Sequence, residues 1–421
     1  MRLNKRCLPA ITLFLMTVSM AVTYAAAQSH APKEKVLFSF PASGDLGNTP
    51  NGVLISDAAG NLYGVNTYGG SGSGAVYEIS PTAEGGWTAK SIHALPANSS
   101  YPNALVMDSS GNLYGTLYGG GTENCSDGFN LYPCGAVYEL SPDGSGGWSE
   151  KTIWNASPTE GWGPWSLALD AAGNLYGTTL WIGTGEGGTV FELQRTGENW
   201  THTILLAFGQ PGSNGGAPNG SPVFDKAGNL YGTTALGGAE SGGTVFELKK
   251  TKTGWREITL FEFDSSFPGA SGGYYPYGVI FDSAGNLYGM TTFGGVDYLD
   301  GFGVAFELTP TSSGAWQENV SHAFLYGETG GLGTGNPLVI DSAGNLYGTT
   351  AAGGAGNYGT VFQLRRSTNG AWSKVVLHSF PSDSSDGRSP AALLADSKGN
   401  LYGTTSGGGS AGVGTVFEIT P

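Results

Sequence analysis

Hydrophobic residues in this chain occur in short runs separated by segments rich in glycine, aspartate and proline. Four kinds of run follow one another in a fixed order, here called strands a, b, c and d. In the first full set they are GVLISD (52–57), NLYG (61–64), AVYEI (75–79) and, after Trp87, SIHAL (91–95). Short runs rich in Val, Phe, Tyr and Thr and bounded by Gly, Pro and Asp predict β-strands. Helical periodicity is absent outside the N-terminal segment.

The turn between strands a and b reads D-x-x-G-N-L-Y-G and recurs at spacings of 51 to 62 residues. Its copies begin at Asp57, Asp108, Asp170, Asp225, Asp282, Asp341 and Asp396. A near-constant period predicts a repeat architecture. The aspartate can accept hydrogen bonds from the following backbone, and the glycine supplies positive φ, so we expect a tight hairpin with a type I turn and a bulge. Leu and Tyr should then point to opposite faces and pack between repeats.

The strand count predicts a closed ring. Each kind of strand occurs seven times, but the first d strand (34–40) has no set before it, and the last repeat ends after strand c (415–419). The unmatched strand d at the N-terminus and the strand d missing from the last repeat account for each other if the N-terminal strand completes the last blade. We therefore expect an all-β, seven-bladed β-propeller of four-stranded blades. An open solenoid, the alternative, would need capping ends.

The N-terminus predicts export. A basic start, an apolar run at 8–21 and an A-x-A site at 25–27 indicate a signal peptide at 1–27. A membrane anchor is the alternative, but the apolar run is short and diluted by polar residues. We expect a flexible lead at 28–33, a single propeller domain at 34–421 and no transmembrane segment after cleavage. The expected location is secreted, either extracellular or periplasmic.

The net charge limits the possible binding partners, and the cysteine positions predict a disulfide. The formal net charge is −15, which argues against a nucleic-acid partner. Cys125 and Cys134 flank an insertion in the second repeat, and in an oxidising compartment a disulfide closing this loop is expected. A metal site there is not expected, because the insertion holds no His and no third Cys.

Residues that recur in every repeat are interpreted as architecture. The alternative for the aspartate turns is a set of metal loops, but each offers few oxygen ligands. The strand c glutamate also repeats, whereas a catalytic group is needed once or twice. His93, His322 and His378 share one strand d position, so neither a Ser-His-Asp triad nor a His-ligated metal is expected. No cofactor and no metal are expected.

Residues that break the repeat are the candidates for function. The d–a and b–c connections emerge on one face and hold most of the length variation, with aromatic rings beside Asn and Asp. Such groups suit flat polar ligands such as sugars; alternatively, the rings only pin long loops. The candidate ligand-binding residues are Tyr101, Trp162, Trp165, Tyr274, Tyr275, Tyr277, Asp297, Tyr298, Asp300, Asp383, Asp386 and Arg388. The same connections carry Asp45, Asn103 and Trp181.

These features favour a secreted, non-enzymatic binding or cell-surface and matrix protein, with an extracellular glycan or cell-surface component as partner. The alternative is a carbohydrate-active hydrolase or lyase, in which two carboxylates among Asp297, Asp300, Asp383 and Asp386 perform acid–base chemistry. A purely structural protein with an inert variable face is the third hypothesis. The sequence leaves the ligand and the oligomeric state open.

The pattern D-x-x-G-N-L-Y-G-T-T…G-G…G-T-V-F-E-L resembles the GloVer (Gloeobacter/Verrucomicrobia) tandem repeat of secreted bacterial proteins over essentially the whole mature chain. The resemblance implies export and says nothing about activity. Family members look like exported proteins with C-terminal surface anchors; this chain ends at Pro421 without one, which favours a freely secreted form. A weaker likeness exists to NHL-type propellers, which carry D-x-x-G-N-[IL]-Y, although a lyase of that type would need histidine near the central face.

Overall fold

Seven four-stranded antiparallel sheets form the blades of a β-propeller in a computed structural model of the chain. The structure describes residues 31–69, 73–126, 128–182, 187–209, 214–266, 272–295, 301–325, 336–382 and 386–421. The signal peptide predicted at 1–27 lies outside them. Pro32–Pro421 is one compact unit.

The strands follow the predicted order a, b, c, d. The N-terminal strand is β1 (Lys33–Ser39). Blade 1 comprises β2 (Asn48–Ser56), β3 (Leu62–Tyr68), β4 (Ala75–Pro81) and β5 (Trp87–Ala94). The second repeat comprises β6 (Ser100–Met107), β7 (Leu113–Gly119), a small hairpin of β8 (Asn124–Ser126) and β9 (Leu131–Pro133), β10 (Ala136–Pro142) and β11 (Trp148–Asn155). Blade 3 comprises β12 (Trp162–Leu169), β13 (Leu175–Trp181), β14 (Thr189–Thr196) and β15 (Asn199–Ala207).

The remaining blades repeat this arrangement. Blade 4 comprises β16 (Gly216–Phe224), β17 (Leu230–Leu236), β18 (Ser241–Thr251) and β19 (Gly254–Asp264). Blade 5 comprises β20 (Tyr274–Phe281), β21 (Leu287–Phe293), β22 (Val304–Pro310) and β23 (Trp316–Ala323). Blade 6 comprises β24 (Val339–Ile340), β25 (Leu346–Thr350), β26 (Thr360–Arg366) and β27 (Trp372–Ser379). The last repeat supplies β28 (Gly387–Ala395), β29 (Leu401–Gly408) and β30 (Thr415–Thr420).

The N-terminal strand closes the ring, as predicted. Strand β1 pairs antiparallel with β30, from Lys33 opposite Thr420 to Ser39 opposite Thr415, and so becomes the fourth strand of blade 7. The free edge of the C-terminal strand is thereby paired, which removes an exposed edge from the ring. The predicted all-β, seven-bladed propeller is confirmed.

The repeated aspartate organises each a–b turn. In blade 1, Asp57 Oδ1 accepts the backbone N–H groups of Ala59 and Asn61, while Oδ2 accepts the Asn61 amide and the Tyr63 hydroxyl. Gly60, at φ +85°, donates its N–H to the Asp57 carbonyl, as the predicted turn requires. Because the carboxylate is occupied by protein donors, the alternative of repeated metal loops has no support in this geometry.

The hydrophobic core lies between the blades. Tyr63 packs into a cluster with Leu113 of blade 2, whereas its neighbour Leu62 packs into a cluster with Leu37 and Val416 of blade 7. Successive residues of a strand point to opposite faces of the sheet, so the Leu and Tyr of one repeat pack into two different interfaces between blades. Each fully buried large apolar side chain contributes roughly 1.5–3 kcal/mol. The repeated Leu and Tyr therefore join the blades, as the sequence predicted.

In every blade except blade 6, the innermost strand, strand a, begins earlier than predicted, which corrects one expectation. The candidates predicted in the d–a connections lie instead within strands β6, β12, β20 and β28: Tyr101, Trp162, Trp165, Tyr274, Tyr275, Tyr277 and Arg388. Each of these strands contains a proline near its start, at Pro102, Pro164, Pro276 and Pro390, and proline lacks the backbone N–H of a regular strand residue. Strand a is an edge strand of its sheet, however, and proline is tolerated there because no ladder N–H is needed.

A proline near the start of strand a packs against the preceding blade. Pro164 Cδ faces Gly135, which precedes β10, at a place where a Cβ atom on the glycine would collide with it. The same proline–glycine contact occurs at Pro218 with Gly188 and at Pro276 with Gly243. The glycine before the V-F-E-L motif is therefore needed for close approach of the next blade.

The insertion in the second repeat is closed by a disulfide between Cys125 and Cys134, as predicted. It joins the short strands β8 and β9, whose connecting segment exposes Phe129. Among the described residues, no helix is long and apolar enough to cross a membrane.

Candidate functional site

The beginnings of strands a and c and the ends of strands b and d lie at one end of each antiparallel blade. Most of the predicted site residues of the described chain occur here, on a surface called the variable face. Asp297, Tyr298, Asp300 and Asp383 lie outside the described residues. The others divide into three separate groups.

The largest group is an arc of aromatic rings that crosses blades 2, 3 and 5. Tyr101 contacts Tyr118 edge to face, with centroids 6.3 Å apart, and Tyr118 contacts Trp165 in the same way at 6.3 Å. Trp181 Nε1 donates to the Tyr118 hydroxyl at 3.2 Å, and Trp165 Nε1 donates to the Tyr277 hydroxyl at 3.1 Å. We call Tyr101, Tyr118, Trp165, Trp181 and Tyr277 the aromatic arc. Hydrogen bonds at the polar atoms fix ring orientations that packing alone leaves free.

Members of the arc differ in exposure. Tyr101 is 54% exposed, and the other four rings are half-buried. Trp162 stacks beneath Trp181 at 5.6 Å and is itself buried, so it supports the arc and presents no surface of its own. Burial raises the pKa of the Tyr277 hydroxyl, and the bond from Trp165 offsets part of this rise. Tyr277 is therefore neutral at physiological pH.

The arc borders a central cavity of about 540 Å³ that runs along the inner strands of all seven blades. Trp165 and Tyr277 line it at the variable-face end, together with Asn51, Asn103 and Asn336. Its deeper wall is lined by aliphatic residues, namely Val53, Ile55, Leu105, Val106, Leu167, Val223, Val279, Ile280 and Leu338. The site thus combines apolar walls with a few amides and ring edges at its mouth.

The mouth asparagines also join neighbouring blades. Asn103 Nδ2 donates to the Trp165 carbonyl at 2.8 Å, and Asn51 Nδ2 donates to the Pro102 carbonyl at 3.3 Å. Asn219 makes the equivalent bond to the Pro276 carbonyl at 3.0 Å. These contacts hold the rim of the cavity in place before any ligand arrives, which reduces the ordering cost of binding.

The arc contains residues that the sequence did not single out, above all Tyr118. A signal for the cavity mouth was nevertheless present. The residue after the strand a proline is asparagine in Pro50–Asn51, Pro102–Asn103 and Pro218–Asn219, but Trp165 and Tyr277 replace it in the third and fifth repeats. Trp165 and Tyr277 are therefore recognisable in the sequence because they replace the asparagine that other repeats have at this inward position.

The second group is a small aromatic cluster on blade 5. Tyr274 stacks on Phe293 at 5.4 Å, and Tyr275 contacts both rings at 5.2 and 5.8 Å. Tyr275 has a positive φ of 57°. The equivalent residues before proline in other blades also have positive φ, including Thr49 at 58° and Tyr101 at 48°. Left-handed backbone at non-glycine residues is strained. Its recurrence around the ring shows that this kink belongs to the architecture.

The third group lies away from the cavity, between blades 6 and 7. Asp386 is buried, and its Oδ2 lies 2.8 Å from Nε2 of His378. Arg388 is exposed and, with Asp386 and Tyr358, lines a separate cleft of about 100 Å³. Of the four carboxylates considered for acid–base chemistry, Asp386 alone lies among the described residues, and it does not line the central cavity. The hydrolase or lyase alternative therefore gains nothing from the described geometry.

The repeated strand c glutamates form part of the framework. Glu307 is buried, and its Oε1 accepts the Tyr288 hydroxyl at 2.8 Å and Arg366 Nη1 from the next blade at 2.9 Å. Burial, followed by the Glu307 contact, raises the pKa of Tyr288 above its ordinary range. The glutamate is thus tied into an interblade network, as its repetition indicated.

The closed ring with its axial cavity defines a β-propeller built from one tandem repeat. The Gloeobacter/Verrucomicrobia repeat model matches residues 125–333 and 317–421. The chain belongs to this repeat family, as the sequence motif indicated. No curated protein matches it in sequence.

Solved structures of the same fold are distant in sequence. The extracellular domain of a one-component system from B. thetaiotaomicron is 11% identical with TM-score 0.52, covering 91% of this chain and 39% of that one. PorZ, a surface component of the type-IX secretion system of Porphyromonas gingivalis, is 15% identical with TM-score 0.50, covering 90% and 47%. A protein assigned as a 6-phosphogluconolactonase from Bacteroides uniformis is 15% identical with TM-score 0.51, covering 81% and 87%. The chain thus spans less than half of the first two, and all three show the fold alone.

Proposed function

We propose that this protein is a secreted, non-enzymatic binding protein of the extracellular space or cell surface that recognises carbohydrate at the mouth of its central cavity. The observation that carries the proposal is the aromatic arc at the edge of a 540 Å³ cavity. The disulfide between Cys125 and Cys134 supports an oxidising location. Two distant fold neighbours, an extracellular domain and a bacterial surface component, fit such a setting.

Three features of the mouth support a sugar as ligand. Aromatic faces stack on the apolar faces of pyranose rings, and the amides at the rim can bond hydroxyl groups. The cavity volume falls in the range of roughly 300–1,000 Å³ that is usual for small-molecule sites. Four of the five rings of the arc are joined in pairs by hydrogen bonds, and Tyr101 packs edge to face on Tyr118, so the surface is formed before binding.

A glycan array followed by calorimetry tests this proposal. We expect the purified protein to bind a defined set of glycans, and Tyr101→Ala and Trp165→Ala each to weaken the best of them at least tenfold, about 1.4 kcal/mol. Tyr68→Ala is the matched control, because Tyr68 is 53% exposed against 54% for Tyr101 but lies on blade 1 outside the arc. The control should bind as the unmodified protein does.

Two results would overturn the proposal. One is binding to no glycan on a broad array by protein whose fold is verified by circular dichroism. The other is binding that persists unchanged in the Tyr101→Ala and Trp165→Ala variants. Turnover of a bound polysaccharide would overturn the non-enzymatic part alone.

A further inference from the structure

A repeated contact between outer strands provides a frame for comparing all seven blade interfaces. In strand d, the residue six positions after the tryptophan of one blade meets the residue two positions after the tryptophan of the next. His93 meets Glu150 with His Nε2 3.2 Å from Glu Oε2, and Trp154 stacks on His202 at 4.4 Å. In blade 7, where β1 supplies strand d, the corresponding residue is Glu34. Its counterpart in blade 6 is His378 in β27.

The blade 6–blade 7 interface adds a second carboxylate. The connection from β27 to β28 brings Asp386 against His378, with Asp386 Oδ2 2.8 Å from His378 Nε2. One donor atom each from Glu34, His378 and Asp386 lies within 4.8 Å of the other two. Among the described residues, this is the single group of three or more His, Cys, Asp or Glu donors placed so closely.

The group lacks enough protein partners for its charge. Glu34 Oε1 is shielded from solvent and has no hydrogen-bond partner, and a buried carboxylate oxygen without one is costly. The edge of the His378 ring is held against buried Phe380, with centroids 4.7 Å apart. The imidazole thus packs against a buried ring and presents Nε2 to Asp386.

We propose that Glu34, His378 and Asp386 bind a divalent transition-metal ion, represented by Zn²⁺, at the blade 6–blade 7 interface. Imidazole and carboxylate together suit Zn²⁺ and its first-row neighbours, whereas Ca²⁺ prefers oxygen ligands alone. Tetrahedral zinc with ligands at about 2.0–2.2 Å brings donor atoms roughly 3.3 Å apart, so a small adjustment of the present donors completes the site. Asp386 also lines the 100 Å³ cleft, which leaves room for water as a fourth ligand.

The position of this site in the chain gives it a structural consequence. Glu34 belongs to β1, the strand that closes the ring and forms part of blade 7. His378 belongs to β27 of blade 6, and Asp386 lies in the connection from blade 6 to blade 7. A bound ion would therefore fasten the N-terminal strand of blade 7 to blade 6. The site is separate from the aromatic arc, so the inference does not depend on sugar binding.

Calorimetric titration of the chelator-treated full protein with Zn²⁺ tests the site. We expect one equivalent to bind and, at a hundredfold excess over Kd, Tm to rise by about 3 °C. Glu34→Gln and His378→Ala should each weaken binding at least tenfold. His93→Ala is the matched control, because His93 pairs with Glu150 but the 96–99 connection adds no carboxylate.

Two further measurements keep the test decisive. Co²⁺ should give a visible absorption band in the unmodified protein and in His93→Ala, but not in Glu34→Gln, which preserves side-chain shape if His378→Ala fails to fold. Zn²⁺ should also slow amide hydrogen exchange in residues 33–39. The proposal fails if no stoichiometric Zn²⁺ binds, if Glu34→Gln binds with unchanged affinity, or if Ca²⁺ binds in preference to Zn²⁺.

Discussion

The indole N–H of Trp165 in blade 3 donates a hydrogen bond to the hydroxyl of Tyr277 in blade 5, with Nε1 and Oη 3.1 Å apart. The bond lies at the mouth of the central cavity, at a position where repeats 1, 2 and 4 have asparagine. It joins two residues 112 positions apart in the chain and fixes the inner end of the aromatic arc.

A double-mutant cycle measures this contact. Tyr277→Phe should lower the free energy of unfolding by about 1 kcal/mol, because the half-buried Trp165 N–H loses its acceptor. Trp165→Phe also removes ring area and should cost more. The coupling energy from chemical denaturation of the two single variants and the double variant should be roughly 0.5–1.5 kcal/mol. A coupling energy of zero would mean that the bond does not form in solution.

Replacing Gly135 by alanine should be among the most damaging small substitutions. Gly135 has φ +100°, and a Cβ atom there would meet Pro164 Cδ and lie 2.6 Å from the Leu117 carbonyl oxygen. Both backbone strain and a steric clash between blades 2 and 3 result, so a loss of roughly 3 kcal/mol or more in thermal or urea unfolding is expected.

Gly144→Ala separates these two causes. Gly144 also has positive φ, +75°, but a Cβ atom there meets nothing within 4 Å. Gly144→Ala should therefore lower the free energy of unfolding only through backbone strain, by about 1 kcal/mol. Equal losses in Gly135→Ala and Gly144→Ala would contradict the packing role assigned to the proline–glycine contact.

Stability should depend on pH through Glu318, the blade 5 counterpart of Glu34. Burial raises the pKa of this carboxyl to about 7, and its Oε1 has no hydrogen-bond partner. The folded state favours the protonated carboxyl of Glu318. Its stabilising contribution to the free energy of unfolding is therefore fully present below pH 4.5 and is lost as pH rises through 7. Relative to the unmodified protein, Glu318→Gln should gain on the order of 3 kcal/mol between pH 4.5 and 8.

Glu150, at the same strand d position in blade 2, supplies the opposite case. The close contact between its Oε2 and His93 Nε2, 3.2 Å apart, lowers the pKa of its carboxyl, and burial opposes that effect. The stabilisation is present above the unfolded-state pKa and is lost as pH falls through the folded-state value. Glu150→Gln should therefore be most damaging near neutral pH and least damaging in acid. Parallel pH profiles for the two variants would refute both assignments.

The disulfide should make a modest contribution to stability. Changing both Cys125 and Cys134 to serine frees a loop with a sequence separation of 9, for which the chain-entropy model gives about 3 kcal/mol at most. Denaturation of the unmodified protein with and without reductant is the check. The double variant should have the same free energy of unfolding as the reduced unmodified protein, and adding reductant should not change it. A variant as stable as the oxidised protein would show that the link contributes nothing to global stability.

The repeat made much of the framework predictable. Seven equivalent aspartate turns specify the register, and the missing strands at the two ends predict that β1 completes blade 7. Local chemistry accounts for this success, since the bonds from Asp57 reach Tyr63, six residues away, and recur in each repeat. The boundary of the inner strand was less predictable, because Pro164 and Pro276 resemble turn residues unless their strand is known to be an edge.

The sequence by itself determined the fold, the ring closure and the disulfide, because repetition and spacing encode local turns and strand order. The tertiary structure alone decided which side chains meet. Trp165 reaches Tyr277 only because the ring brings blades 3 and 5 to a common axis. Glu34 meets His378 and Asp386 only because closure places the first strand beside blade 6. Contacts between distant residues depend on the geometry of the whole ring, which no local pattern contains.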